Sequence, residues 1–371
     1  MAEQIQSELL GLSLEQLTEI AIAAGEPNYR GRQLWDAIYR QRVADLGQAT
    51  TLSKGFREKL EDAGYVVGLP GIEREFASVD GTERFLLRFS DGQSVETVWM
   101  PEGDLGESGD GSEAGEEELR EGAASGRRRA TICISSQVGC AVNCQFCMTA
   151  LLGIQRNLTA GEIVGQVHLV LNRHAVDVDK ERVNIVFMGQ GEPFLNYDNF
   201  VQAMRLLHEG TKIPLSRMTV STSGIVPRIE DFGREQKRAK LAISLNGSND
   251  EVRTRVMPIN KKWNIAALMK AVREFPLRTR ERVTFEYVLL NGVNDSEQNA
   301  RELVKLVEGV RCKVNLIAFN PGPEIPFTTP DDARVLRFKQ VLERAGVPAF
   351  VRRPRGRDIY AACGQLKKTV A

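Results

Sequence analysis

Several features that would settle the class of this 371-residue sequence at once are missing from it. No apolar run is long enough to span a bilayer, and the first residues have neither the basic region nor the apolar core of a signal peptide. Only three histidines occur, and no spacing pattern links them. Six cysteines, three of them close together, fit a reducing compartment better than a disulfide framework. We therefore expect a cytoplasmic protein that makes no contact with a membrane.

The sequence also lacks a net charge, because 49 Lys and Arg balance 49 Asp and Glu. The two signs are unevenly distributed. Residues 1–129 carry 14 basic and 25 acidic side chains, so the remaining 242 residues carry 35 and 24, a net charge of +11. A basic body suits a polyanion such as RNA, because binding releases counterions from the phosphates. Solvated basic faces are common, however, and the charge alone does not identify the partner.

One short segment carries half of the cysteines. Cys140, Cys144 and Cys147 have a C-x3-C-x2-C spacing, which a single loop can fold around one face. A compact set of soft thiolate ligands favours an iron–sulfur cluster or zinc. A structural zinc usually needs four ligands, often from a second C-x2-C or H-x-H pair, and no such pair is present. Three ligands would leave one iron of a four-iron cluster open to a substrate. Ordinary buried cysteines are the remaining alternative.

Residues 1–66 read as a helical module. Ser13 is a plausible N-cap, and Gln16 three residues later completes a start that resembles a capping box. Basic turns in such modules sometimes bind nucleic acid, and a docking or packing role is equally compatible with the pattern. The sequence therefore predicts an N-terminal helical accessory domain of open function.

The next stretch changes to a period of two. Residues 67–100 form a predicted small β unit, in which strands at 84–89 and 94–100 are joined through Asp91 and the glycine that follows it, a hairpin signal. Residues 101–129 are rich in Gly, Glu and Ser and show no apolar period. They cannot bury enough surface to offset the entropy of ordering, so we predict a disordered acidic insertion without chemistry.

From residue 130 to 345, short apolar runs alternate with helical stretches. The predicted strands lie at 131–134, 184–188, 218–221, 240–245, 283–290 and 314–319. The predicted helices lie at 159–174, 198–209, 264–275, 296–307 and 331–345. This alternation indicates parallel βα units. Six repeats are too few for a closed eight-stranded barrel, so we predict an α/β fold built on a partial (βα)6 barrel, with the N-terminal helical module and the small β unit as accessory parts.

Glycines and small polar residues follow several of these strands. They lie at 188–193, 221–224 and 244–246 and at Asn320. Parallel α/β sheets place active sites at the carboxyl ends of their strands, and the cysteine loop follows the first strand at that end. Each residue by itself is typical of a turn or cap. Together, on one face, they predict a cofactor site.

The predicted basic C-terminal segment, residues 346–371, carries a single cysteine, Cys363. Four arginines within six residues suit phosphate binding, namely Arg352, Arg353, Arg355 and Arg357. Their charge would also lower the pKa of the Cys363 thiol and favour its thiolate. A lone C-terminal cysteine is nevertheless more often inert, and the residues alone leave both interpretations open.

Three further side chains look structural when taken alone. Cys133 lies in the first barrel strand and Cys312 near a later one, so both are interpreted as core residues. Glu96 lies in a strand with apolar neighbours, and a strand glutamate is usually solvent-facing.

The cysteine spacing resembles the signature of the radical S-adenosylmethionine (SAM) superfamily. Five motifs, in order, closely resemble the RlmN family within it, at 135–140, 188–193, 221–224, 258–262 and 361–366. That family comprises bacterial dual-specificity RNA methyltransferases that act on carbon 2 of adenine. The resemblance extends from the N-terminal module to about Leu366. It implies a radical SAM barrel, one [4Fe-4S] cluster per chain on Cys140, Cys144 and Cys147, and two SAM molecules per turnover.

The resemblance also implies roles for two cysteines and a glutamate. Carbon 2 of adenine is electron-poor and does not attack the methyl group of SAM directly. In the family, the cysteine matching Cys363 takes a methyl group from one SAM. A second SAM, at the cluster, gives a 5′-deoxyadenosyl radical that abstracts hydrogen from that methyl, and the carbon radical then adds to the base. The cysteine matching Cys133 releases the product and leaves a disulfide with Cys363, while the residue matching Glu96 accepts a proton.

The same matching implies the remaining contacts and partners. The SAM contacts fall on Gly191, Glu192, Ser223, Ser244, Leu245, Asn246 and Asn320. The implied substrates are 23S rRNA, at an adenine of the peptidyl transferase centre, and tRNA, at the adenine next to the anticodon, each unstacked to reach the site. A monomer reduced by an electron donor such as flavodoxin or ferredoxin is expected.

Two departures from the family pattern matter. Many relatives have His where this sequence has Asn246, which puts that side-chain contact in question. The insertion at 101–129 replaces a short turn, and it must loop outward if Glu96 is to stay in the site.

Two alternatives remain. The sister activity of the Cfr resistance enzymes methylates carbon 8 of the same rRNA adenine with the same two-cysteine chemistry, and these motifs do not separate it cleanly. More distantly, a non-catalytic RNA-binding protein stabilised by a metal would not cleave SAM.

Overall fold

The computed structural model describes residues 6–101 and 129–367. The predicted insertion at 101–129 therefore lies almost entirely outside the described residues. The helices are α1 (Leu14–Ala23), α2 (Tyr29–Trp35), α3 (Lys54–Asp62), α4 (Ala160–Arg173), α5 (Tyr197–Glu209), α6 (Val226–Arg234), α7 (Asp250–Val256), α8 (Ile265–Glu274), α9 (Glu297–Val307) and α10 (Asp332–Arg344). In the same ranges, no helix is long and apolar enough to cross a membrane.

The strands begin with short elements at the N-terminus and end beside the basic segment. They are β1 (Ser7–Glu8), β2 (Tyr65–Val66), β3 (Gly71–Ala77), β4 (Glu83–Arg88), β5 (Ser94–Pro101), β6 (Arg129–Cys133), β7 (Gln137–Gly139), β8 (Ile154–Asn157), β9 (Arg182–Phe187), β10 (Met218–Thr222), β11 (Lys240–Ser244), β12 (Val283–Leu289), β13 (Cys312–Ala318) and β14 (Ala349–Arg352).

A single mixed sheet organises the described chain. Its strand order is β14-β13-β12-β11-β10-β9-β6-β5-β4-β3, and all neighbours from β6 to β14 are parallel. Each of the six predicted barrel strands is present, so the predicted α/β fold with a partial barrel is confirmed. Strand β14 adds a further parallel strand. Strand β14 was hard to recognise in the sequence, because it has only four residues and lies between Pro348 and Pro354.

The accessory strands extend this sheet and do not form a separate one. Strands β3, β4 and β5 are an antiparallel meander, and β5 also pairs antiparallel with β6. The predicted hairpin through Asp91 is confirmed, with Gly92 at φ +80° donating its N–H to Phe89. The pairing with β6 connects residues 29 to 35 positions apart, across the insertion, and hydrophobic periodicity cannot predict such a contact.

The N-terminal helices pack onto the barrel through α4. A side chain at Gly161 of α4 would lie 2.2 Å from the carbonyl oxygen of Leu10, so glycine permits the close approach. The buried hydroxyl of Tyr39 donates to the Leu12 carbonyl at 2.7 Å and accepts from the Gly11 N–H at 2.9 Å. The apolar residues of the module and of the barrel consequently form one continuous core.

Helix starts follow the capping signals of the sequence. The capping box predicted at Ser13 is present, and Thr159 and Ser296 form two more, with the side chain of each accepting from the N–H three residues later. Helices α6 and α7 were not predicted. Helix α6 begins one residue before Pro227 and α7 has only seven residues, so neither shows a sustained helical period.

Candidate active site

The cysteines of the C-x3-C-x2-C motif lie on a loop, residues 140–147, which we call the cluster loop. Gly139 has φ +78°, and a side chain there would lie 1.8 Å from the carbonyl oxygen of Gly153. That carbonyl accepts the N–H of Cys140 at 3.0 Å, and the N–H of Gln145 donates to Val256 in α7 at 2.9 Å. Two glycines and α7 therefore hold the loop closed at the carboxyl end of the sheet.

The three cysteines of the cluster loop are free and, as whole residues, half-buried. Burial raises the pKa of Cys140 to about 12, and it raises the pKa values of Cys144 and Cys147 as well. Thiols with such pKa values are protonated at neutral pH, so a metal must displace their protons. In the described ranges, no three His, Cys, Asp or Glu side chains are grouped like the ligands of a metal ion. Three thiolates on one loop match three irons of a four-iron cluster and fall one short of the four ligands usual for a structural zinc.

A cavity of about 930 Å³, including the solvent at its mouth, opens beside the cluster loop. The structure brings most of the predicted site residues into its wall, namely Cys140, Cys144, Cys147, Gly191, Glu192, Ser223, Ser244, Asn246, Asn320 and Cys363. The predicted convergence at the carboxyl ends of the strands is thus confirmed in geometry, although the contacts with SAM themselves stay predictions.

The carboxylate of Glu192 joins two strand ends in this wall. It accepts the N–H of Ser223 at 2.6 Å and the N–H of Phe194 at 3.0 Å. Burial raises the pKa of Glu192, and the hydrogen bond from Ser223 opposes that rise. Gly191 (φ +100°) packs against Gln137 so closely that a side chain would lie 2.6 Å from its Cβ. The loop after β9 is therefore fixed before any ligand arrives.

The loop after β11 contributes mainly backbone. Leu245 is fully buried, and its N–H donates to Glu286 at 3.0 Å. Asn246 has φ +54°, its carboxamide oxygen accepts the N–H of Val288 at 2.8 Å, and its NH₂ lies 3.2 Å from the sulfur of Met257. The Asn246 side chain is thus engaged within the protein, in keeping with the doubt raised by the departure from His.

Sequence reasoning missed Glu286, a buried carboxylate in the cavity wall. The hydroxyl of Ser221 donates to it at 2.6 Å and that of Ser244 at 3.4 Å, while the guanidinium of Arg352 lies 3.6 Å away. A signal was available, because Glu286 is a charged residue inside an apolar run that forms β12. A buried charge needs partners, which a sequence does not display.

Cys133 and Cys363 line a second cavity, of about 700 Å³, that shares Cys147 and Arg352 with the first. Cys133 packs in a small apolar cluster with Val98 and Ala361, two residues before Cys363. Burial raises the pKa of Cys133 to about 12, the charge of Cys363 raises it further, and Arg352 opposes both. The structure therefore brings these two cysteines together beside the cluster loop. Cys312, by contrast, lies in the main core, as predicted.

Residues 353–367, which we call the C-terminal segment, are bonded to the cluster loop and its surroundings. The Met148 N–H donates to the Gly364 carbonyl at 2.7 Å, and the Thr149 hydroxyl donates to the Leu366 carbonyl at 2.6 Å. The Gln365 carboxamide donates to Pro321 at 2.7 Å. Cys363 is therefore held beside Cys147 by contacts on both sides.

The other end of the C-terminal segment is anchored on the turn between β3 and β4. Asp80 accepts the Gly356 N–H at 2.9 Å, and the Arg355 guanidinium lies 3.6 Å from its carboxylate. Asp358 accepts from the hydroxyl of Ser78 at 2.5 Å. Of the four arginines predicted to bind phosphate, Arg352 and Arg355 are therefore engaged in internal contacts, whereas Arg353 and Arg357 are exposed.

Glu96 is only 1% exposed, so the usual solvent-facing position of a strand glutamate does not apply to it. Its carboxylate pairs with the buried guanidinium of Arg84 and accepts from the Gln190 side chain at 3.1 Å. Gln190 lies between Gly189 and Gly191, which line the cavity. Glu96 lines neither of these two cavities and reaches the wall of the first through the Gln190 side chain.

Comparisons with known proteins agree with this geometry. The model of the radical SAM superfamily matches residues 134–304, and the model of the ribosomal RNA large subunit methyltransferase N-terminal domain matches residues 7–66. The crystal structure of a radical SAM methyltransferase from Sphaerobacter thermophilus is 42% identical, with a TM-score of 0.85, and covers 97% of this chain and 99% of its own. The fold and the cluster loop thus define a radical SAM methyltransferase, a class whose cofactors are a [4Fe-4S] cluster and SAM.

Curated relatives narrow this class. A probable dual-specificity RNA methyltransferase RlmN from Koribacter versatilis is 66% identical over 345 residues, which is 93% of this chain and 97% of the relative. The RlmN of Rhodospirillum rubrum is 44% identical, over 97% of this chain and 80% of the relative. The chain belongs to the RlmN family of dual-specificity RNA methyltransferases.

Proposed function

We propose that this protein methylates carbon 2 of one adenine in 23S rRNA, in the peptidyl transferase centre, and of the adenine next to the anticodon in tRNA. The names of the family's members support two RNA substrates. The observation that carries the proposal is the placement of Cys133 and Cys363 in one cavity next to the cluster loop. Methyl transfer from SAM to a nucleophilic carbon or nitrogen would need no such pair.

The proposed reaction begins at Cys363. Its sulfur, as thiolate, displaces the methyl group of a first SAM and becomes S-methylcysteine. Cys140, Cys144 and Cys147 would hold one [4Fe-4S] cluster, and the strand-end residues would hold a second SAM. When bound and reduced, the cluster supplies the electron that cleaves this SAM into the radical that takes a hydrogen atom from the methyl group. An electron donor such as flavodoxin or ferredoxin supplies that electron to a monomeric enzyme.

The protein completes the reaction with two further groups. Glu96 takes the proton from carbon 2, and its pairing with Arg84 and Gln190 holds the carboxylate in a fixed orientation. The unpaired electron left after the methylene radical on Cys363 adds to carbon 2 would return to the oxidised cluster. The thiolate of Cys133 then attacks the sulfur of Cys363, the carbon–sulfur bond breaks, the released carbon takes a proton from solvent to become the methyl group, and a Cys133–Cys363 disulfide forms. Their common cavity supports this exchange, because the two sulfurs must meet without a large backbone movement.

The test is to incubate cluster-loaded variants anaerobically with SAM, a reductant and each RNA. We expect Cys133→Ala to accumulate a covalent protein–RNA adduct and Cys363→Ala to form none, with methylation lost in both. Cys312→Ala is the control, because that cysteine lies in the main core. Normal methylation by both site variants would contradict the ping-pong scheme. Mass spectrometry of the nucleosides fixes the position, and 8-methyladenine would replace the carbon 2 assignment with the carbon 8 activity.

A further inference from the structure

The described residues include four buried arginines, which differ in how their charge is balanced. Three have a carboxylate partner, in the pairs Arg84–Glu96, Arg238–Glu281 and Arg352–Glu286. The fourth, Arg253 in α7, is 0% exposed and forms no ion pair with any Asp or Glu in the described ranges. An unbalanced buried charge costs several kcal/mol, so Arg253 must be retained for another reason.

The guanidinium of Arg253 bonds only to neutral oxygens. Its Nε donates to the Leu245 carbonyl at 3.0 Å, one Nη donates to the Ser223 carbonyl at 2.6 Å, and the other donates to the Asn260 side chain at 2.8 Å. Ser223 and Leu245 belong to the loops after β10 and β11, and both are predicted SAM contacts. One side chain therefore connects the two loops from behind the cavity.

The position of this guanidinium is fixed by glycines. A side chain at Gly224 (φ +105°) would lie 3.2 Å from an Nη of Arg253, and one at Gly247 would lie 2.7 Å from its Cα. Burial lowers the pKa of Arg253 to about 10, and the charge of Cys144 opposes that fall. The guanidinium is thus positively charged at neutral pH, and the lack of side chains at Gly224 and Gly247 leaves room for Arg253.

One carboxylate, and one thiol that a metal would deprotonate, lie near this charge. Asp250 is separated from Arg253 by one carboxamide, since Asn260 donates to its carboxylate at 2.9 Å. The other is the thiol of Cys144. Burial raises the pKa of that thiol well above its usual value, and Arg253 is near enough to lower it. The cluster loop also rests on α7, where the N–H of Gln145 donates to the carbonyl of Val256.

We propose that Arg253 is the positioning residue and buried counter-charge of the cluster site. Its guanidinium aligns the Ser223 and Leu245 loops for SAM, and its charge offsets that of the deprotonated cluster loop. The inference rests on the proposed cluster ligands Cys140, Cys144 and Cys147. A fixed positive charge favours the more negative, reduced state of a nearby cluster. Loss of the charge should therefore lower the reduction potential, and loss of the planar donor should weaken SAM binding.

The test compares Arg253→Gln, Arg253→Lys and the control Arg238→Gln. Arg238 is also buried but pairs with Glu281, at the amino end of β11, away from the cavity. Each variant is loaded with iron and sulfide anaerobically. The reduction potential is measured by spectroelectrochemical titration, the SAM dissociation constant by equilibrium binding, and the unfolding temperature with and without the cluster.

We expect Arg253→Gln to have a lower potential than the wild type and to bind SAM about ten- to a hundredfold more weakly, the loss expected for charge-assisted hydrogen bonds. Arg253→Lys should keep the wild-type potential and lose SAM affinity, because an ammonium group cannot span two loops. Loading with the cluster should raise the unfolding temperature of Arg253→Gln less than that of the wild type. Arg238→Gln should be destabilised equally with and without the cluster, with its potential unchanged.

Unchanged potential and unchanged SAM affinity in Arg253→Gln would overturn the inference. If Arg253→Gln does not fold, Arg253→Lys decides: wild-type SAM affinity there would overturn the positioning role. A wild-type protein that takes up no iron under these conditions would instead overturn the proposed function itself, before any variant is compared.

Discussion

The cluster loop and the C-terminal segment both supply sulfur to the site, but they are held in opposite ways. The cluster loop is closed mainly by near neighbours, through the close packing of Gly139 on Gly153 and the hydrogen bond from the Cys140 N–H to the Gly153 carbonyl, with one further bond to Val256 of α7. The C-terminal segment is held by partners far away in sequence, Asp80 at one end and the cluster loop at the other. Local contacts are little affected by single substitutions elsewhere in the chain, whereas long-range contacts can be lost without unfolding the protein.

The largest effect, on iron content, is expected from a substitution at Gly139, which lets the cluster loop close. Gly139→Ala places a methyl group 1.8 Å from the carbonyl oxygen of Gly153 at a positive φ, so the loop cannot close without a backbone shift. Iron content after anaerobic reconstitution should fall to near zero. Gly92→Ala is the matched control, because it also has φ near +80° but only Arg88 nearby, at 3.6 Å. Equal iron content in both variants would show that the loop closes without Gly139.

A second prediction concerns the cysteine that faces the C-terminal segment. Because burial raises the pKa of Cys133 to about 12, only a small fraction is thiolate at neutral pH. That fraction rises with pH, so resolution of the preformed RNA adduct should accelerate about tenfold per pH unit between pH 6.5 and 8.5. Quenched time courses after a pH jump measure it. A rate independent of pH over this range would mean that deprotonation of Cys133 does not limit release.

The contacts of Asp80 with the C-terminal segment should be removable without disturbing the cluster loop. Asp80→Asn removes the charge that holds Arg355 and weakens the bond to Gly356, so the C-terminal segment should exchange its amide hydrogens faster. Methylation of Cys363, followed by protein mass spectrometry, should slow about tenfold, the effect of one charged hydrogen bond. Iron content should stay at the wild-type level. Asp91→Asn is the control, since that carboxylate bonds Arg156 and does not touch the segment. Equal slowing in both variants would remove the anchor role.

The smallest effect should spare both regions. Thr159→Ala removes the cap of α4 and should lower the free energy of unfolding by about 1 kcal/mol, as typical N-cap replacements do. Iron content and Cys363 methylation should not change, because α4 lies behind the sheet in the continuous core. Chemical denaturation measures the first quantity, and a change in the other two would indicate that the site depends on overall stability.

The difference between local and long-range contacts also explains which features could be predicted from the sequence. The cluster loop could be predicted because its three cysteines lie within eight residues. The capping box at Ser13 could be predicted because it spans only four residues. Strand positions followed from apolar runs, and their parallel order placed the loops at one edge. Cys363 and Cys133 were joined through a family resemblance, since nothing in their own neighbourhoods links residues 230 positions apart.

Burial and pairing were the parts that the sequence could not show. Glu286 stands out locally only as a charge inside an apolar run, and its partners, like those of Arg253, lie on other strands and loops. Glu96 looked like a surface residue, since alternation does not reveal that its side chain is buried and paired with Arg84 of the neighbouring strand β4. The use of Arg352 and Arg355 in internal contacts likewise required the fold, because a cluster of arginines reads the same whether it is exposed or engaged.

The pairing of β5 with β6 has a consequence for how this chain tolerates added length. Pro101 and Ala130 are cross-strand partners, so the two points where the acidic stretch leaves and rejoins the sheet are adjacent. The entropy of closing such a loop grows only with the logarithm of its length, so many residues can be gained or lost here at little thermodynamic penalty. A label or a foreign domain can therefore be inserted between Pro101 and Ala130 while Glu96 and Cys133 keep their strand register.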